Sequence, residues 1–91
     1  MNRIYPIVII KTDDKLVPYF VNIPDLNGKT QGTTIYDAIQ MARDYINLKV
    51  TELEDNHEPI PESNYSLPQV KKSDIATLVD VDTAKYSKFE W

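Results

Sequence analysis

Apolar and polar positions change their period twice along this 91-residue chain. Ile4-Tyr5-Pro6-Ile7-Val8-Ile9-Ile10-Lys11 is apolar and β-branched on both faces, which predicts a strand covered on at least one side and central in its sheet. Pro6 cannot donate to a ladder, so it is expected near the strand's start or at a bulge. Thr12-Asp13-Asp14-Lys15 reads as a turn, and Leu16 to Ile23 as the second strand of a hairpin. Pro24-Asp25-Leu26-Asn27-Gly28 is a loop with breakers at both ends, and Lys29 to Gly32 forms a short third strand.

The period then switches from strand-like to helical. Ile35, Ala38, Ile39, Ala42, Tyr45, Ile46, Val50 and Leu53 recur at 3.6-type spacing, a stripe that predicts a helix from about Ile35 to about Leu53. Thr34 is the expected N-cap, with Asp37 as its capping-box partner. Ile39, Ala42 and Ile46 are expected to be buried, and Gln40, Arg43, Asp44, Asn47 and Lys49 to face outward. Residues 56–74 carry Pro59, Pro61 and Pro68 and read as an irregular connection that lies across the sheet. Ile75 to Asp82 is the last strand, with Ile75, Thr77, Val79 and Val81 on one face and Ala76, Leu78, Asp80 and Asp82 on the other. The expectation is an α+β fold: a mainly antiparallel sheet of three or four strands with one long helix on one face. The domain is expected over residues 1–83, with 84–91 as a polar and aromatic tail.

Composition narrows the chemistry. The chain has no cysteine and a single histidine, His57, which removes thiolate catalysis, disulfides and paired-His metal sites. No apolar run approaches the roughly 20 residues that span a bilayer. With no signal peptide evident either, a cytoplasmic location is expected. The net charge is −4, and it is uneven: residues 1–50 sum to +1 and residues 51–91 to −5. Nucleic-acid binding calls for a basic face, and this chain lacks one. The acidity peaks at Glu52, Glu54, Asp55, Glu58 and Glu62 with no Lys or Arg among them. Acidic groups at a helix C-terminus oppose the macrodipole. The stretch is either a solubilising loop or a surface that attracts a basic protein by electrostatic steering.

Specific residues now stand in order: Tyr5-Pro6, Ile23-Pro24-Asp25-Leu26-Asn27-Gly28, Thr30-Gln31-Gly32-Thr33-Thr34 before Ile35-Tyr36-Asp37-Ala38, then Glu58-Pro59-Ile60-Pro61, and Leu78-Val79-Asp80-Val81-Asp82 with Tyr86. This sequence resembles the HicB family of antitoxins over nearly its whole length. The resemblance implies a partial ribonuclease H-like fold and an antitoxin that neutralises a small basic HicA-type toxin, an mRNA-cleaving ribonuclease, by covering its active surface. It implies no enzymatic activity, no cofactor and no metal. Family antitoxins usually add a C-terminal DNA-binding module. Nothing after Trp91 is available to build one, so direct promoter binding by this chain is not expected.

Candidate toxin-binding residues are Glu52, Glu54, Asp55 and Glu58, with Asp25 and Asn27 of the loop second. Homodimer formation is expected, with Tyr86, Phe89 and Trp91 as the candidate self-association contact. Two other readings remain: a vestigial or metal-dependent ribonuclease H-like nuclease using Asp25, Asp80 and Asp82, and an orphan regulatory domain with no toxin. Magnesium chemistry needs several converging carboxylates, and the first strand carries none.

Overall fold

In a computed structural model, which describes residues 1–84, four strands form one sheet in the order β3-β2-β1-β4. The elements follow the chain as β1 (Asn2–Lys11), β2 (Tyr19–Ile23), a 3-10 turn (Pro24–Leu26), β3 (Gly28–Gly32), α1 (Ile35–Asp55) and β4 (Ile75–Asp82). Every pairing is antiparallel, and the helix packs on one face. The α+β expectation holds with four strands, and β1 is central.

The strand alternation decides the core. Tyr5, Ile7 and Ile9 of β1, Val21 and Ile23 of β2, and Val79 and Val81 of β4 point at the helix, which answers with Ala38, Ala42, Ile46 and Val50. Ile39 is only partly buried against this cluster. Asn47, expected on the outer face, is instead buried. It lies one turn from both Val50 and Arg43, on the flank of α1 that turns toward β4.

The second strand is shorter than the apolar pattern predicts. The Asp14 carboxylate accepts the N–H groups of Leu16 (2.8 Å) and Val17 (3.0 Å), so the turn extends past Lys15. Those two bonds, Val17's first, hold the Asp14 carboxyl below the usual carboxylate range. Leu16 is left 83 % exposed, and β2 starts only at Tyr19.

Pro6 sits within regular β1 opposite Leu78 rather than at its start or at a bulge. In an antiparallel ladder each residue turns its N–H and C=O to the same neighbour, alternating along the strand. The Thr12 N–H to Pro18 O bond (2.6 Å) puts even-numbered residues of β1 on the β2 side. β2 ends at Ile23, before it reaches the level of Pro6, so no ladder donor is needed there.

The connection takes over this vacated position. Ile4 N–H donates to the Ser63 hydroxyl (2.9 Å), Asn64 N–H donates to Ile4 O (2.9 Å), and Tyr5 Oη donates to Pro61 O (2.6 Å). Residues 56–74 therefore run beside the start of β1. On the β4 side of the same end of β1, Thr83 N–H donates to Met1 O (3.0 Å), and the Met1 ammonium lies 3.8 Å from Asp82.

Candidate functional site

The acidic stretch is built by the end of α1. Thr34 caps the helix start, accepting the Asp37 N–H, while the Asp37 carboxylate takes the Thr33 N–H (2.8 Å). The helix continues two residues past Leu53, through Asp55. It stops in a Schellman motif. His57, at φ 55°, donates to Glu54 O (3.2 Å), and Glu58 N–H donates to Leu53 O (2.9 Å). The lone histidine thus fills the left-handed position that glycine usually takes.

No cation lies in the last turn of α1. Glu52, Asp55 and Glu58 are exposed, and Glu54 is half-buried. Glu52 meets Lys49 at 3.7 Å, an exposed pair worth little. The carboxylates therefore add to the negative pole of the helix instead of offsetting it, and the field at this end is negative.

The second candidate, the Asp25 loop, has a structural partner. Asp25 is half-buried, and both its oxygens accept the Asn64 amide at 3.1 and 3.3 Å. Asn27 takes a left-handed conformation (φ 51°) and is exposed, on the rim of a cleft of about 460 Å³ lined by Asn22, Ile23, Pro24, Gly28 and Lys29. The connection that leaves the helix C-cap reaches Asp25 through Asn64, so one segment ties the two candidate regions together.

Tyr5 reports the charge at this junction. Its phenol is pushed above its ordinary pKa mainly by burial; Arg3 opposes that, while the negative fields of Asp25 and Glu62 add to it. Ser63 and Asn64, which dock the connection, lie in a polar stretch with no periodicity to mark them. Their role becomes visible only through their bonds to Ile4 and Asp25.

The strand carboxylates do not gather. Asp80 accepts from Arg43 at 3.2 Å, and Asp82 faces the N-terminus. Among the described residues no three His, Cys, Asp or Glu side chains are grouped to hold a metal ion. No helix there is long and apolar enough to cross a membrane. The candidate contact Tyr86, Phe89 and Trp91 lies outside the described residues.

Residues 5–90 match the family model of the HicB-like antitoxin of bacterial toxin-antitoxin systems. The chain is similar to a structure described as a toxin-antitoxin complex from Streptococcus pneumoniae, with 20 % identity and a TM-score of 0.80, covering 99 % of this chain and 76 % of that one. It is also similar to the N-terminal domain of the Burkholderia pseudomallei antitoxin HicB, with 28 % identity and a TM-score of 0.66, covering 87 % of this chain and 98 % of that one. No curated protein matches the chain.

Proposed function

The chain belongs to the HicB-like family, the antitoxins of bacterial toxin-antitoxin systems, and we propose that it neutralises a small, basic, HicA-type mRNA-cleaving toxin by covering the toxin's active surface. The mechanism is occlusion, with no chemistry performed by this chain. The observation that carries the reading is the end of α1. Glu52, Glu54, Asp55 and Glu58 stand at the negative pole of a 21-residue helix whose last turn holds no cation. That arrangement costs the helix a few tenths of a kcal/mol per carboxylate and favours a basic partner. Asp25, which the connection reaches through Asn64, and the neighbouring exposed Asn27 form the second part of the proposed toxin-facing surface.

The chain is further proposed to act in the cytoplasm as a homodimer and to leave promoter DNA unbound by itself. The net charge of −4 repels phosphate, and Lys71-Lys72 is the one adjacent pair of cations in the sequence. The test is co-expression with a HicA-type toxin, followed by copurification and stopped-flow mixing. Replacing Glu52, Glu54 and Asp55 with Lys is expected to slow association several-fold at low salt while leaving the melting midpoint near that of the parent. An unchanged association rate removes this surface from the reading. Failure to copurify removes the reading itself.

A further inference from the structure

We infer that two copies of this chain join through the outer edge of β3, paired antiparallel about Thr30, into one continuous eight-stranded sheet. The inference rests on the homodimer proposed above and is independent of toxin binding. The two edges of the sheet differ. At β4, the Arg43 guanidinium folds over the edge, donating from Nε to Asp80 O (3.0 Å) and from Nη2 to the Asp80 carboxylate (3.2 Å). That edge is covered and charged at Asp80, the kind of device that protects an edge. At β3, no hydrogen bond from the described residues reaches the outer side of Gly28–Gly32.

The ladder parity specifies which groups are free. Because even residues of β1 bond to β2, Tyr19, Val21 and Ile23 bond to β3, and their partners Gly32, Thr30 and Gly28 bond back. Lys29 and Gln31 therefore turn their N–H and C=O groups outward. A two-fold axis at Thr30 sets Lys29 of each copy against Gln31 of the other. All four outward groups of each copy then pair in four hydrogen bonds. The neighbouring registers fit less well. An axis at Lys29 sets two lysines face to face, and an axis at Gln31 calls on the Thr33 N–H, which Asp37 already holds at 2.8 Å.

A second observation favours the same contact. α1 runs antiparallel along β3: Gly32 lies under Ala38, Thr30 and Gln31 share a cleft with Met41, and Gly28 lies under Tyr45. Met41 is 40 % exposed and Leu48 is 51 % exposed, on the flank beside this edge. The two-fold keeps both helices on one face of the joined sheet and places Met41 near the axis, where it meets its own copy. The occupant is thus a second copy, whose strand has the matching parity and whose helix has the matching apolar flank.

The test uses Gln31→Glu and Gln31→Lys, both at an exposed position. Glu at this position faces Lys29 of the other copy twice, and Lys repels it twice. Sedimentation equilibrium of the parent should give twice the 10.5 kDa chain mass, with dissociation tightened by Gln31→Glu and weakened by Gln31→Lys, each about 2- to 30-fold. In a chain without cysteine, Thr30→Cys gives an unambiguous second readout. The residue at the axis is a non-hydrogen-bonded pair with Cα atoms about 4.5 Å apart, within disulfide range, so oxidation should cross-link the dimer, whereas Lys29→Cys should not. A parent that stays at 10.5 kDa across the concentration range overturns both the homodimer and this edge. A dimer indifferent to both Gln31 variants, with no Thr30→Cys cross-link, overturns the edge alone. Variants that change toxin affinity and not self-association assign the edge to the toxin, and also overturn the inference.

Discussion

Replacing Gly32 with alanine should be among the most damaging single-methyl changes in this domain. Gly32 ends β3 two residues before the Thr34 N-cap, so the chain passes from sheet to helix with almost no slack. A Cβ there would lie 2.4 Å from Ala38 N and 2.6 Å from Ala38 Cα. Both are backbone atoms of the first helical turn, and Ala38 N–H is bonded to Thr34 O at 2.8 Å. Reaching ordinary contact at 3.4 Å requires the helix start to move by a full ångström. Ala38, Ala42 and Ile46 would move with it, away from the sheet they cover. Overpacking costs typically 1–3 kcal/mol, and a backbone obstacle belongs at the top of that range. The reduced freedom of the unfolded chain returns about 0.4–1 kcal/mol. No glycine here has positive φ, so the cost is steric alone.

A net loss of about 2–3 kcal/mol corresponds to roughly 10–20 °C in melting midpoint for a domain of this size. Gly28→Ala is the control. The three heavy atoms nearest its Cβ all belong to the ring of Tyr45, which is half-buried and can turn aside, so the loss should be about 1 kcal/mol. Thermal unfolding followed by circular dichroism measures both. A Gly32→Ala midpoint within about 3 °C of the parent, a shift that corresponds to less than 1 kcal/mol, refutes the reasoning, and so does a larger loss from Gly28→Ala.

Ile46 is fully buried at the centre of the helix stripe, and Ile46→Ala should cost about 2–5 kcal/mol in urea unfolding. His57→Gly should raise stability by about 0.5–1 kcal/mol in the same assay, because the Schellman position demands a left-handed backbone that glycine adopts freely. Tyr5 gives the stability curve an alkaline edge. Its folded pKa is raised, so the stabilisation is complete below the ordinary pKa of 10.0 and is lost as pH rises through the higher folded value. Tyr5→Phe should remove that decline from denaturation midpoints taken on the alkaline side.

Much of this architecture is legible in the sequence because it follows from periodicity. The stripe from Ile35 to Leu53 and the alternation of β4 each have one solution that buries apolar surface. Where a single polar contact or the extent of a neighbouring element decides, the pattern is silent. Leu16 looks like strand, but Asp14 captures its N–H and leaves it in water. Pro6 looks like a strand breaker, but it stands where β2 has already ended. Asn47 looks like surface, but the helix turns that flank toward β4. The acidic run at Glu52–Glu58 was readable as charge, whereas the docking of its continuation onto Asp25 and Ile4 depends on Ser63 and Asn64. Two polar residues in a polar segment carry no period.

The bond between Thr83 and Met1 brings the two ends of the sheet's outermost pairing together. β1 and β4 are remote in sequence yet lie side by side, with Asn2 opposite Asp82. A short bridge from residue 84 to residue 1 would turn that pairing into a local hairpin, and the chain could then be opened at the exposed turn around Asp13 and Asp14 instead. Such a circular permutant turns the β1–β4 closure from the longest in the domain into the shortest, and makes the opened β1–β2 hairpin the long closure in its place. The two pairings exchange roles, so the β1–β4 pair rather than the β1–β2 pair becomes the local contact with the small closure entropy and should form first. In the natural order, the central strand emerges first and waits for its outer partner until the last described residues of the domain.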